Sequence, residues 1–276
     1  MEFFKYEASA NDFILLDRTS GGPSTGADEA VRLCARRTGV GADGVIEVLP
    51  SEECDLRMRI LNADGSEAQM CGNGVRALFL FALDRGLTDA DAITVQTLAG
   101  VRRASVAGSG PRGRLFSVEM GTPAYKRGEV PVEGPADEDA IDVEVPLDTG
   151  PVRATCVSMG NPHCVVFVDS VGAHPVEIQG SALENHRMFP EKTNVEFVHA
   201  VSSDRLDVRV WERGVGETMA CGTGACASLV AANLKGLAGR RATVTLPGGD
   251  LRVEWLEQQV VLTGPARHVF DGKTVY

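Results

Sequence analysis

The chain contains the same arrangement twice. Cys71-Gly-Asn-Gly74 and Cys221-Gly-Thr-Gly224 each lead into a long apolar run, the two cysteines standing 150 positions apart. The first run is Val75-Arg-Ala-Leu-Phe-Leu-Phe-Ala-Leu83, stopped by Gly86; the second is Ala225-Cys-Ala-Ser-Leu-Val-Ala-Ala-Asn-Leu234, stopped by Gly236. A helix that is apolar almost all round has no face to give to water, so other elements must enclose it. The segments around both runs read as strands: 13–16, 45–49, 56–61, 93–97 and 117–120 in the first half, and 152–158, 164–168, 194–198 and 206–211 in the second. The pattern is strands, then Cys-Gly-x-Gly, then a buried helix, and it implies two similar α+β domains. The Pro/Gly-rich stretch 121–135 is the natural boundary. Beyond the module the halves share little obvious identity, so the duplication is one of architecture.

Local signals fill in the rest. Met1 to Lys5 reads as the start of a first strand. Residues 28–37 read as a helix with arginines in its last turn and Gly39 placed to end it. Asn62 to Ser66 is a turn by composition, and 244–246 with 251–255 form a hairpin through Pro-Gly-Gly-Asp. Gly39-Val-Gly41-Ala-Asp-Gly44 formally matches a dinucleotide fingerprint, but that site needs a strand before it and a helix after it. Here the order is reversed, so these glycines turn the chain from helix to strand.

Bulk properties exclude several classes. A formal net charge of -11 would be repelled by phosphate backbones, and the paired arginines 36–37, 102–103 and 240–241 make no basic run, so nucleic acid is not an expected partner. No apolar run reaches membrane-spanning length and no signal-peptide pattern is present, which gives a soluble cytoplasmic protein as the default. Seven cysteines are an odd number for a disulfide framework, and without a CxxC pair or a histidine cluster no structural metal is expected. Most of these thiols should be small buried hydrophobes.

Cys71 and Cys221 stand apart because each precedes a helix. A thiol at a helix N-terminus meets the positive end of the macrodipole and unpaired N–H groups, both of which favour thiolate. The same N–H groups suit a carboxylate, and glycines allow it to approach closely. Two such modules suggest one site at a domain interface, where one thiolate removes a proton from an α-carbon and the opposite thiol delivers another. Nearby polar residues fit a zwitterionic substrate: Glu212 and Arg213 before the second module, Asn11, Asn62, Asn161 and Asn194 at strand ends or turns, and His163 in Gly160-Asn-Pro-His. Singly, each has an ordinary structural reading. A racemase of another amino acid on the same fold, a thiol-based redox protein and a non-catalytic amino-acid binder remain alternatives on these residues alone.

Asn62-Ala-Asp-Gly-Ser-Glu-Ala-Gln-Met-Cys-Gly-Asn-Gly-Val-Arg76 and Glu212-Arg-Gly-Val-Gly-Glu-Thr-Met-Ala-Cys-Gly-Thr-Gly-Ala-Cys226 closely resemble the two signature segments of the diaminopimelate epimerase family. Asn11-Asp-Phe, residues 39–44, residues 160–163 and Thr193-Asn-Val-Glu-Phe197 follow in the family's order, so the resemblance spans nearly the whole chain. It implies a cofactor-free, pyridoxal-independent isomerase that interconverts LL- and meso-2,6-diaminopimelate in lysine and peptidoglycan-precursor synthesis. Cys71 and Cys221 would be the acid/base pair. The backbone at Gly72, Asn73, Gly222 and Thr223 would hold the reacting carboxylate. Asn62, Asn161, Asn194 and Arg213 would grip the distal end, with Asn11, His163 and Glu212 lining the site. The implied fold is two pseudo-symmetric domains, each a strand barrel around a central helix, with the site in the cleft between them. The expected division is 1–121 with 267–276, and 122–266; members are commonly homodimers. The chain departs from the family in having Glu7-Ala-Ser-Ala10 where His-Gly-x-Gly is frequent, Gly44 where some members carry glutamine, and Thr223 where others have serine.

Overall fold

The computed structural model describes residues 1–274. The chain divides into two compact units, one made of Met1–Glu119 with the chain from Thr263 onward, the other of Met120–Leu262.

In the first unit, β1 (Glu2–Ala8) and β2 (Asn11–Asp17) precede α1 (Ala27–Cys34). After it come β3 (Gly44–Leu49), β4 (Leu56–Asn62), the short β5 (Glu67–Ala68) and α2 (Gly72–Asp84). Strands β6 (Ala92–Thr97), β7 (Gly100–Gly110) and β8 (Gly113–Gly121) follow. β1 pairs antiparallel with β2, β2 parallel with β3, and β3 antiparallel with β4. β4 pairs antiparallel with β5 and parallel with β6, which continues antiparallel through β7 to β8. The strands wrap α2, whose residues from Gly72 to Ala82 are all buried. This is the enclosure that its all-round apolarity demands.

The second unit repeats the plan. β9 (Val143–Val145) flanks β10 (Val152–Ser158), and β11 (Pro162–Phe167) leads into α3 (Val176–Glu184). Strands β12 (Asn194–Ser202), β13 (Arg205–Glu212) and β14 (Gly216–Thr218) precede α4 (Gly222–Leu234). The chain closes with β15 (Arg241–Leu246), β16 (Gly249–Leu256) and the long β17 (Gln259–Lys273). β10 is antiparallel to β11, β11 parallel to β12, and β12 antiparallel to β13. β13 is antiparallel to β14 and parallel to β15, and β15 antiparallel to β16. The order and sense of the pairings match those of the first unit. α4 is the enclosed helix here. The later part of β17 returns to the first unit and pairs with β1 from Glu7↔Arg267 to Glu2↔Lys273.

Two of the helices differ from the sequence reading. α1 stops at Cys34, because Ala35 turns out of helical geometry at ψ 114. Arg36 therefore lies outside the last turn and bonds Asp12 and Asp43 at 2.8 and 2.6 Å. Gly39 folds back against the helix end, where an added Cβ would lie 2.0 Å from the Arg32 carbonyl. The helix-to-strand turn expected of residues 39–44 is present, with β3 beginning at Gly44. α3 carries no helical signature that stood out in the sequence. Its Gly180 is set by packing, since a Cβ there would sit 2.7 Å from Trp211. No helix among the described residues is long and apolar enough to cross a membrane.

Candidate active site

Both cysteines occupy the N-cap position of their helix in extended geometry. The Cys71 sulfur accepts the Gly74 N–H at 3.4 Å, and the Cys221 sulfur accepts the Gly224 N–H at 3.3 Å. Cysteine is doing what serine or aspartate commonly does at a helix start. The first intrahelical bonds are Val75 N–H to Cys71 C=O and Ala225 N–H to Cys221 C=O, each 2.9 Å. The N–H groups of Gly72 and Asn73, and of Gly222 and Thr223, precede those bonds and have no intrahelical acceptor. Each cap is therefore a thiol beside a small cluster of donors at the positive helix end.

In the first unit the β1–β2 hairpin delivers Asn11. Its two-residue loop, Ser9-Ala10, adopts φ 56° and 63°, the doubly left-handed turn suited to tight hairpins. The departure at residues 7–10 therefore leaves a tight turn in place, and Glu7 caps it by accepting the Ala10 N–H at 2.9 Å. The Asn11 side chain donates to Asp43 at 2.7 Å, and its oxygen accepts from Asn73 at 3.3 Å and from the Cys71 thiol at 3.8 Å. Asn73 is held in turn by the fully buried Arg76, which donates to its side-chain oxygen at 2.8 Å. Asn62 donates to Ser66 within its own turn. An added Cβ at Gly44 would lie 2.8 Å from the Leu61 carbonyl, so a glutamine there would require the backbone to move.

In the second unit a longer chain of contacts reaches the thiol. The fully buried His163 places Nδ1 2.7 Å from Glu196 and Nε2 3.0 Å from the Asn161 side-chain oxygen. Asn161 donates to the Thr223 hydroxyl at 3.4 Å, which lies 3.4 Å from the Cys221 sulfur. Glu212 also hydrogen-bonds Cys221 and accepts from Thr218 at 2.5 Å. Burial pushes the Cys221 thiol well up, and the carboxylates of Glu212 and Glu196 push it further. Burial likewise raises Glu212. Asn194 donates to the Pro162 carbonyl and accepts the Arg213 N–H, each at 2.9 Å, while the Arg213 side chain bonds the Glu191 carbonyl at 2.9 Å.

The sequence residues thus fall into two groups: Asn11, Cys71, Gly72 and Asn73 around one cap, and Asn161, His163, Glu212, Cys221, Gly222 and Thr223 around the other. Asn62, Asn194 and Arg213 are fixed by bonds to neighbouring loops and strands. Asp43, Arg76 and Glu196 were not singled out from the sequence. Arg76 and Glu196 carried a visible signal, a charge inside an otherwise apolar helix or strand. Among the described residues, no cluster of histidine, cysteine or acidic side chains could hold a metal ion.

The chain has full-length relatives among known proteins. The family model of diaminopimelate epimerase matches residues 3–126 and 155–269, covering both cysteine modules. A diaminopimelate epimerase of Pelotomaculum thermopropionicum is 47% identical over 100% of this chain and 99% of its own length. Diaminopimelate epimerase 1 of a Nostoc species is 50% identical over 99% of each. Among solved structures, a phenazine biosynthesis protein of the PhzF family from Bacillus anthracis superposes with a TM-score of 0.72 at 18% identity, covering 100% of this chain and 99% of that one. A probable proline racemase from Agrobacterium radiobacter gives a TM-score of 0.72 at 15% identity, covering 99% and 92%. At such identities these two structures speak for the fold alone. The full-length matches go further: this chain is an isomerase, and it belongs to the diaminopimelate epimerase family.

Proposed function

We propose that the protein interconverts LL- and meso-2,6-diaminopimelate without a cofactor, using Cys71 and Cys221 as a thiolate/thiol pair on opposite faces of one α-carbon. The observation that carries this reading is the double N-cap: two cysteines, each accepting an amide N–H at the start of a buried helix. A thiolate on one side takes the α-proton as the thiol on the other side delivers its own. One thiol and one thiolate remain, with their roles exchanged, ready for the reverse reaction. Negative charge builds on the substrate carboxylate in between, and the N–H groups of Gly72, Asn73, Gly222 and Thr223 would stabilise it. Asn62, Asn161, Asn194 and Arg213 would hold the distal amino-acid end, while Asn11, His163 and Glu212 line the reacting centre. The domains would be residues 1–121 with 267–276, and 122–266, with the substrate in the cleft between them. Closure over it would exclude water and help a weakly acidic carbon ionise. A cytoplasmic homodimer serving lysine and peptidoglycan-precursor synthesis completes the reading.

The test is LL-diaminopimelate in D2O with a reductant and no added cofactor. Solvent deuterium should appear at one α-carbon as meso product forms. Inert LL-diaminopimelate together with racemisation of proline would reassign the substrate, and turnover that survives Cys71→Ser would reject the mechanism.

A further inference from the structure

We propose that Glu196 is a positioning residue: it fixes the orientation of His163 and holds the proton on its Nδ1 and, through Asn161 and Thr223, sets the hydrogen-bonding state of the Cys221 thiol. This rests on the reading of Cys221 as an acid/base group.

The two units supply an internal control. The parallel registers Phe13↔Gly44 and His163↔Asn194 make Phe13 the counterpart of His163, and Ile46 the counterpart of Glu196. Both Ile46 and Glu196 lie beneath the third residue of the central helix. The Ile46 side chain would be 3.0 Å from a Cβ on Gly74, and Glu196 Oε1 2.6 Å from one on Gly224. One unit thus fills this layer with Phe13 and Ile46, buried and apolar. The other buries an imidazole and a carboxylate at the same two places, both 0% exposed. A buried ionisable pair seldom stabilises more than well-packed apolar residues of similar size. The fold therefore does not call for Glu196, as the apolar layer of the first unit demonstrates.

The geometry supplies another reason for it. A carboxylate accepts only, so Glu196 Oε1, 2.7 Å from Nδ1, keeps the His163 proton there. Nε2 faces the Asn161 side-chain oxygen, which accepts only, so Nε2 donates as well, and the contacts run on from the Asn161 amide N–H through the Thr223 hydroxyl to the sulfur. Glu196 Oε2 is buried without a hydrogen-bond partner among the described residues, a cost that a purely structural residue would not be expected to retain. The ionisable groups that face this carboxylate are His163 and Cys164 from β11, Glu212 from β13 and Cys221 at the start of α4.

Glu196→Gln keeps the shape and removes the charge, and Glu196→Asp keeps the charge. Three readouts are compared with the unsubstituted protein: the 15N shifts of His163, the pH dependence of Cys221 alkylation by iodoacetamide followed by peptide mass mapping, and kcat and KM on LL-diaminopimelate. In the unsubstituted protein the 15N shifts should place a proton on Nδ1. Glu196→Gln should move the alkylation midpoint about one unit toward acid. It should also lower kcat about tenfold or more, with KM changed far less, and Glu196→Asp should recover part of both. A Glu196→Gln protein with an unchanged alkylation profile and unchanged kcat overturns the proposal. If that variant does not fold, an Nδ1 lacking its proton in the unsubstituted protein overturns it equally. The shifts and the alkylation need no turnover, so an unsubstituted protein inert on diaminopimelate would reject the proposed substrate while leaving this assignment to be decided on its own.

Discussion

The two cysteine modules share a backbone and differ in what surrounds the sulfur. Cys71 is half-buried, and its thiol faces Asn11, which is tied through Asp43 to an ion-pair cluster containing Arg36, Asp12 and Lys5. Arg76, a buried cation, stands behind Asn73 in the same network. Cys221 is buried and faces carboxylates: Glu212 directly, with Glu196 behind His163. A helix N-terminus alone would treat the two thiols alike. The carboxylates beside Cys221 add to that setting, since negative charge nearby favours thiol over thiolate. A duplicated fold thus supplies two similar caps, and the buried carboxylates of the second copy set the surroundings of its sulfur apart.

The largest expected effect tests whether both halves are needed. Cys71→Ser and Cys221→Ser should each lower epimerisation by about a hundred- to ten-thousandfold while circular dichroism and melting temperature stay near those of the parent. Full activity in either would mean that the modules are not a functional pair, however alike their caps. Next comes exchange of the buried layer. Ile46→Glu should cost about 3–5 kcal/mol in denaturant unfolding, because the first unit offers a buried carboxylate no histidine partner. The reverse change, His163→Phe with Glu196→Ile, should leave stability equal or raised by about 1–4 kcal/mol while abolishing turnover. If that double variant were strongly destabilised, the charged pair would be part of the fold after all.

A smaller effect concerns acid. Burial raises the Asp12 carboxyl, and hydrogen bonds from Arg36 and then Lys5 more than offset it, leaving it at about 2. A carboxyl held below its unfolded value contributes stability that is complete above about pH 4 and is lost as pH falls toward 2. Asp12→Asn should therefore cost about 1–2 kcal/mol at neutral pH, a figure reduced by the exposure of Arg36, and should flatten acid unfolding between pH 4 and 2. Because this cluster anchors Asn11, the same variant tests how far the ion pairs of the first unit matter to its thiol.

What could be read from the sequence follows from how local each signal is. The enclosed helices were legible because apolarity on every side of Val75 to Leu83 leaves one physical outcome, and the caps because Cys-Gly-x-Gly is contiguous. The His163–Glu196 pair was not. It forms only once β11 and β12 lie parallel in one register with α3 looped out between them, and no periodicity reports that pairing. Asp43 likewise becomes an anchor for Asn11 only when β2 and β3 align. α3 was missed because Gly180, set by close packing on Trp211, weakens a short helical pattern. The bulge between Val106 and Gly108 interrupts the alternation that would have marked β7 as one long strand. Arg36 reads as part of a basic last turn, yet its carboxylate partners Asp12 and Asp43 lie 24 and 7 residues away.

The smallest effect lies in the turns that deliver the two site asparagines. In the second unit the chain between Ser158 and Pro162 turns through Gly160 at φ 93°, where glycine carries no steric penalty. In the first, the shorter loop between Ala8 and Asn11 places Ser9 and Ala10 in the same left-handed region, and both side chains bear a Cβ. Ala10 is exposed, so replacing it removes backbone strain without opening a cavity. The gain is opposed by the greater freedom of glycine in the unfolded chain. Ala10→Gly should therefore stabilise by about 0.5–1 kcal/mol, raising the melting temperature by about 1–4 °C. Asn11 is already held by Asp43 and Asn73, so turnover should change by less than about twofold. If the variant melted lower, the bond from the Ala10 N–H to Glu7 would be holding a turn that glycine loosens. The two hairpins would then differ in how they are kept rigid as well as in length.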